Sequence, residues 1–488
     1  MIYFHLNDKI AMIIIMGAQN RESNSSYGLV RQLGLFDSTM VMVGIVIGSG
    51  IFLTTGIIAK SIPSAPLILL VWVVGGSLTL AGALTYGELG AALPEAGGQY
   101  VYIREAYGSL PGFLFGWVLF LVYQTGGIAG LALAFAEYFG YFFPSLSTDR
   151  IILSQSLPVF GNPLIYSLSA GQLVGVFSIA LLSILNYIGV GFGKTVQNLL
   201  TVLKIGIILI IIILGFSIGN GTAVDFTLDP HNFGFSHLLI GFGVSLIAVS
   251  WAFDGWNNVN FVAGEIKNPQ RNLPKALILG TLITTVLYVL INYIYLYALP
   301  IDQMAGEVRI AEKATSVLFG GGTAGLISAV VIISTFGSLN GSILTGPRVF
   351  YAMANDGLFF KKVAKVHPRF HTPGFSIFIQ ALWASVLTLV GTFEQIFTFA
   401  MFVSIIFWIA AAASVFTLRK KRPDLPRPYK TWGYPYVPAV FIAASSGILF
   451  NTLLEKPVEA LAGLGLTALG VPVYFIWKHR STQNSQRE

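Results

Sequence analysis

The sequence contains no cysteine, which rules out disulfides, iron–sulfur clusters, thiolate zinc sites and any sulfur tether to a partner subunit. Charge is nearly as scarce: Asp, Glu, Lys and Arg make up 10% of 488 residues, too few to coat a water-soluble globule of this length. Also missing is any helical His-Glu-x-x-His, and the six histidines, His5, His231, His237, His367, His371 and His479, are expected in loops or tails. His367 and His371 stand four apart, but Pro368 between them suits a turn better than a metal pair. No enzyme activity, cofactor or metal site is expected. No basic cluster interleaves with exposed aromatics, which excludes nucleic acid as a partner. The net charge of +7 and pI near 9.3 then read as topology and contact with anionic lipid.

What is abundant is apolar: 55% of residues, with a mean hydropathy of +0.75. Apolar runs long enough to cross a hydrocarbon core recur along the chain. Twelve are predicted: Asp37 to Ile58, Leu67 to Ala92, Phe113 to Phe143, Leu173 to Ile188, Leu199 to Ile218, Leu239 to Ala263, Ala276 to Leu299, Ala324 to Met353, Phe375 to Gly391, Ile396 to Leu418, Val437 to Leu453 and Ala460 to Trp477. Backbone amides in lipid must bond within their own segment, so continuous runs of this length predict helices, and the fold class is an all-α integral membrane protein. With the N-terminus inside, 22 of the 28 Lys and Arg fall on the cytoplasmic side. The bias rests on Lys267, Arg271 and Lys275, on Arg348 to Arg369 and on Arg419 to Lys430, and it predicts a multi-pass protein of the cell membrane with both termini cytoplasmic. Residues 1–28 read as a flexible tail, with Met16 an alternative start, and 479–488 as a second tail.

Two of the runs are interrupted in matching places. The first carries Gly48-Ser49-Gly50 in mid-membrane, and the sixth carries Asp254, Gly255, Asn257 and Asn258 after Trp251 and Ala252. Glycine disfavours helix continuity, and lipid-facing helices do not tolerate such polar groups. Close helix packing through Gly44 and Gly48 is the alternative for the first break taken alone. Runs one and six point in opposite directions, so the pattern predicts two five-helix units of inverted topology, 29–220 and 235–420, followed by two accessory helices in 421–478. Unwinding leaves the N–H groups of Ser49, Gly50 and Ile51 facing a site suited to a carboxylate. Carbonyls near Val46, Trp251, Ala252 and Asp254 suit an ammonium, so one cavity would take both poles of an α-amino acid.

These stretches resemble the amino acid-polyamine-organocation superfamily, in particular its L-type amino acid transporter branch and bacterial members. The resemblance runs from about Gly28 across nearly the whole chain. It is carried by Val43-Gly-Ile-Val-Ile-Gly-Ser-Gly-Ile-Phe52, by Gly97-Gly-Gln-Tyr-Val-Tyr-Ile-Arg-Glu-Ala-Tyr-Gly108, and by Phe253-Asp-Gly-Trp-Asn257 with Gly264-Glu-Ile-Lys-Asn-Pro-Gln-Arg-Asn-Leu-Pro274. Phe336-Gly-Ser-Leu-Asn-Gly-Ser342 and Arg419-Lys-Lys-Arg-Pro-Asp-Leu-Pro-Arg-Pro428 extend it.

The resemblance implies twelve transmembrane helices in a LeuT-type five-plus-five inverted repeat, with helices 1 and 6 broken, and alternating access. It also implies amides of Ser49 and Gly50 on the carboxylate, carbonyls of Val46, Trp251, Ala252 and Asp254 on the amine, and Trp251 as a gate. The family's eukaryotic L-type members join a glycoprotein through a cysteine, and this chain has none.

Lys204 stands one turn into the fifth predicted segment, where a lysine costs roughly 2.5 to 3.5 kcal/mol on insertion scales. Snorkelling to the interface is one reading. The resemblance favours another, in which its ammonium occupies the place of a sodium ion and ties the fifth helix to the first. Asn257 is expected to brace the sixth helix, with Ser338 and Asn340 touching it. For Glu88, Glu137 and Glu265 an arginine or helix-end partner is expected. The function expected is sodium-independent transport or exchange of neutral L-amino acids. Amine or polyamine transport, proton-coupled symport and a non-transporting sensor remain as alternatives.

Overall fold

The computed structural model describes residues 28–159, 162–227, 235–307, 309–390 and 393–485; the predicted N-terminal tail, with Met16, lies outside them. Each of the twelve predicted segments falls in helical structure. In chain order the helices are α1 (Leu35–Val46), α2 (Gly50–Ser61), α3 (Ala65–Ala92), α4 (Gln99–Tyr107), α5 (Ser109–Phe142), α6 (Ala170–Tyr187), α7 (Val190–Ile218) and α8 (Phe235–Ala252). They continue with α9 (Pro269–Ala298), α10 (Ile310–Phe319), α11 (Ala324–Thr345), α12 (Pro347–Asn355), α13 (Gly374–Val390), α14 (Phe393–Lys421), α15 (Tyr436–Glu455) and α16 (Pro457–Ser485). Among the described residues nine helices are long and apolar enough to cross a membrane, and α1 with α2, bent by 46° at their break, makes a tenth. Two apolar helices, Ile240–Ala252 and Gly374–Val390, are shorter.

The architecture is inside out relative to a soluble protein. Large apolar side chains such as Phe177, Ile184, Ile213 and Phe378 are exposed on the helices, while Gln197, Lys204, Asn257 and Arg348 are almost wholly buried. α1 lies against α7, α9 and α11, and α9 runs along α3, so the first break is enclosed by other helices. Alongside a large apolar core, the interior also holds the polar groups that lipid rejects.

Four features differ from the sequence reading. An antiparallel hairpin, β1 (Ile151–Val159) with β2 (Asn162–Ser169), fills the expected loop before α6, so the fold is all-α except for one ribbon. Next, α7 starts at Val190 rather than Leu199, because the polar residues that hydropathy reads as loop are paired. Lys194 Nζ lies 3.0 Å from Asp37 Oδ2, Asn198 Nδ2 donates to Asp37 Oδ1 at 2.7 Å, and Gln197 Oε1 accepts from Asn340 Nδ2 at 2.8 Å. Lys204 therefore sits near the middle of its helix and not one turn in. Third, α16 continues to Ser485, through part of the expected tail. Last, His237 and His479 fall within helices. His367 does form a turn, its Nδ1 accepting from the N–H groups of Arg369 and Phe370.

The three acids near the membrane have arginine partners. Arg419 donates to both oxygens of Glu88 at 2.8 and 2.7 Å, and Arg309 reaches Glu137 at 3.5 Å. Arg348, counted on the cytoplasmic side, is buried in α12 and donates to both oxygens of Glu265 at 2.7 and 3.0 Å. The carbonyl of Glu265 accepts from the N–H groups of Gln32 and Leu33, which fastens the entry to α1 onto the end of the second broken segment.

Gly255 is the tightest point of that second segment. Its φ is +87°, and a Cβ there would stand 2.4 Å from Ile45 Cγ2 of α1. Gly206 in α7 has open space around its would-be Cβ. Gly255→Ala is expected to lose about 1–3 kcal/mol, seen as a lower melting temperature in detergent. Gly206→Ala should be neutral or gain about 0.5–1 kcal/mol. Equal melting temperatures for Gly255→Ala and wild type would contradict this reading of the turn.

Candidate functional site

A helix that breaks inside a membrane frees backbone groups that no water can satisfy. α1 ends at Val46 and α2 begins at Gly50, and each carbonyl released between them has found a partner. Lys204 is 1% exposed. Its ammonium has three N–H groups and spends them on Gly44 O at 2.6 Å, Ile47 O at 2.8 Å and Ser338 Oγ at 3.1 Å. The Ser338 hydroxyl lies within 2.9 Å of Gly44 O, and that of Ser334 within 2.9 Å of Ile47 O and 3.1 Å of Gly48 O. Burial and saturation of all three donors leave nothing for snorkelling.

The donors freed by the same break are not used up. The N–H groups of Ser49, Gly50 and Ile51 make no backbone hydrogen bond, since the first bond of the new helix runs from Phe52 N to Ser49 O. The break thus has fixed carbonyls on one side and open amides on the other.

The second break is built differently. α8 stops at Ala252, Asp254 N returns to Trp251 O at 3.0 Å, Gly255 turns the chain, and a 3-10 helix runs from Asn258 to Glu265. Asn257 Nδ2 donates to Gln99 Oε1 at 2.6 Å, and Asn257 O accepts from Asn260 Nδ2 at 2.8 Å. Asn257 is therefore bound to α4, away from the cavity. One side chain joins the two breaks: the Tyr288 hydroxyl of α9 lies 2.9 Å from Val46 O and 3.0 Å from Ala252 O. With a single proton to give, it serves both carbonyls in turn; Val46 O also accepts from Gly48 N at 2.8 Å, so the lone pair left open is that of Ala252 O.

Between the breaks lies a cavity of about 210 Å³. Of the residues expected at a binding site, Val46, Gly48, Ser49, Gly50, Trp251, Ala252 and Asp254 line it. Ile51 is packed in the core, and Lys204, Ser338 and Asn340 stand behind the first break. A Cβ on Gly50 would come 3.0 Å from Ala252 Cα, so the two breaks touch at that glycine. Ser338 and Asn340 make no hydrogen bond to the sixth segment. Two residues apart on a helix, they point about 200° away from each other, so Ser338 faces the first break while Asn340 bonds Asn186 and Gln197.

Sequence reasoning missed Tyr123, Gln124, Asn258 and Ser342, which also line the cavity. A π turn at Leu119–Tyr123 in α5 rotates Tyr123 and Gln124 inward, and such bulges recur at functional sites. Thr125 Oγ1 donates to Phe120 O and Trp383 Nε1 to Leu121 O, satisfying carbonyls along the turn. Tyr123 then donates to Asp254 Oδ1 at 2.5 Å, and Gln124 Nε2 to Ser342 O at 2.9 Å. Asn258 is 4% exposed, and its Oδ1 has no partner. The pair Tyr-Gln inside an apolar run was the available signal.

Comparison with known proteins shows the family. The model of the family described as amino acid permease matches residues 33–463. The serine/threonine exchanger SteT of Bacillus subtilis is 34% identical over 462 residues, covering 93% of this chain and 98% of that protein. The human large neutral amino acids transporter small subunit 2 is 30% identical over 463 residues, with 93% and 82% covered. The human b(0,+)-type amino acid transporter 1 is 27% identical over 471 residues, with 94% and 90% covered. The chain belongs to the amino acid permease family, in the L-type branch that its motifs resemble.

Proposed function

We propose that this chain exchanges neutral L-amino acids across the cell membrane by alternating access, without sodium. The observation that carries the reading is the polarity of the cavity: open N–H groups of Ser49 and Gly50 on one wall, and the Ala252 carbonyl, which accepts only from Tyr288, on the other. The first set accepts a carboxylate, helped by the N-terminal end of the α2 dipole. The second accepts an ammonium, aided by the carbonyls of Trp251 and Asp254. The side chain then projects toward Tyr123, Gln124, Asn258 and Ser342. A polar lining of this kind suits small or hydroxylated side chains, in keeping with the name of the serine/threonine exchanger.

In the same reading the ten membrane-capable helices and the two shorter apolar ones make twelve spans. Residues 29–220 and 235–420 form the inverted five-helix units, 421–478 the accessory pair, and both termini are cytoplasmic. Lys204 takes the place of a coupling ion, and Trp251 closes over the bound substrate.

The test is uptake of labelled L-serine into proteoliposomes loaded with unlabelled L-serine. Trans-loading should stimulate uptake. The methyl ester and the decarboxylated amine should fail to compete, because each leaves buried backbone groups unpaired at a cost of about 1–3 kcal/mol. Equal competition by the free amine would favour an amine transporter. Tyr288→Phe removes the bond shared by Val46 O and Ala252 O, and should raise the half-saturating concentration roughly tenfold by the same cost. Unchanged affinity in that variant would contradict the shared clamp.

A further inference from the structure

Trp251 lines two cavities. On the far side of it from the site described above is a second one of about 300 Å³, enclosed by α2, α8, α14 and α15. Its depth is aliphatic and aromatic, with Ile57, Ile247, Met401, Phe402 and Ile405 among the walls. Two of its three hydroxyls are already bonded, Thr54 donating to Gly50 O and Thr452 to Ile448 O, each within its own helix; the third is that of Ser250. Charge stands only at the rim, where Glu455 ends α15 and Lys456 follows. Both are exposed, and among the described residues neither side chain has a hydrogen-bond or ion-pair partner. The rim therefore offers one carboxylate and one ammonium side by side above an apolar shaft that ends on the Trp251 indole.

We propose that this second cavity binds an amino acid with a large apolar side chain and that its occupant holds Trp251 in place, trapping the molecule in the first cavity. Glu455 takes the ligand's ammonium, Lys456 its carboxylate, and the side chain fills the shaft. The volume lies at the low end of small-molecule sites, which fits one such amino acid and not the paired tails of a phospholipid. The inference rests on the transport reading for the first cavity. It goes beyond that reading in making release from one site depend on occupancy of the other.

The experiment uses the full chain in phosphatidylcholine nanodiscs, with labelled L-serine and L-tryptophan as probes. Release of preloaded L-serine into excess unlabelled L-serine should slow about threefold or more when L-tryptophan is added. A competitor confined to the first cavity cannot slow dissociation. Ala248→Trp fills the second cavity from a position that does not itself line the first, and should abolish the slowing; Ile247→Trp serves if that variant does not reconstitute. Glu455→Gln with Lys456→Gln should raise the tryptophan concentration for half effect roughly three- to tenfold.

Labelled L-tryptophan should bind at one more site per chain in wild type than in Ala248→Trp. Unchanged release in wild type, slowing that persists in the filled variant, or slowing produced by lipid composition alone would overturn the proposal. Absence of any L-serine binding would count against the transport reading, and the difference in tryptophan sites would still decide the second cavity.

Discussion

The structure depends on how a broken helix is kept in a place without water. Breaking α1 at mid-membrane frees carbonyls that lipid cannot satisfy. A single ammonium meets the most demanding of them, with Lys204 holding Gly44 O and Ile47 O from α7. The close approach this requires is set by Gly44, where a Cβ would stand 2.1 Å from Gln197 Nε2 and Thr201 Oγ1. Gln197 is itself held by Asn340, and Asn340 by Asn186, so the ammonium is mounted on a buried polar network spanning α6, α7 and α11. Because the carbonyl half of the break is satisfied by the protein, the amide half is left for a ligand.

That asymmetry makes a binding site out of a packing defect. Unsatisfied donors at a helix start are costly in hydrocarbon and inviting to an anion. The second break supplies the complementary pole and is fixed by other means, through Asn257 to Gln99 and Tyr288 to Ala252. The bidentate pair Glu265–Arg348 ties the end of the second broken segment to α12, and Glu88–Arg419 ties α3 to α14. Buried pairs of this geometry contribute specificity more dependably than stability.

Much of this was legible in the chain itself. Apolar length gave the helical segments, because lipid leaves backbone no alternative. Gly48-Ser-Gly50 and Asp254-Gly255 gave the breaks, and a lysine in an apolar run announced a partner. What was not legible followed from neighbours. Hydropathy placed the start of α7 nine residues late because Lys194, Gln197 and Asn198 are polar, yet each is paired in three dimensions. The polar pair Tyr123-Gln124 inside an apolar run marks the place, but the π turn that brings both into the cavity is not readable from local composition. Nor does the sequence say that Tyr288 reaches both breaks, since its partners are backbone carbonyls 242 and 36 residues away. Nor does it say that Ser338 and Asn340 both miss the sixth segment, since their partners are Gly44, Ile47 and Lys204 for the one and Asn186, Gly193 and Gln197 for the other.

The most direct measurement is initial L-serine uptake into proteoliposomes with sodium replaced by choline, for wild type, Lys204→Ala and Lys204→Arg at matched reconstitution. If the ammonium does the work of an ion, wild type transports equally in both media. Lys204→Ala then loses most of its uptake, since two buried carbonyls are left without their charged donor at about 1–3 kcal/mol each. Lys204→Arg recovers little, because a planar guanidinium does not reproduce a compact ammonium. Collapse of wild-type uptake without sodium, or normal uptake by Lys204→Ala, would contradict this.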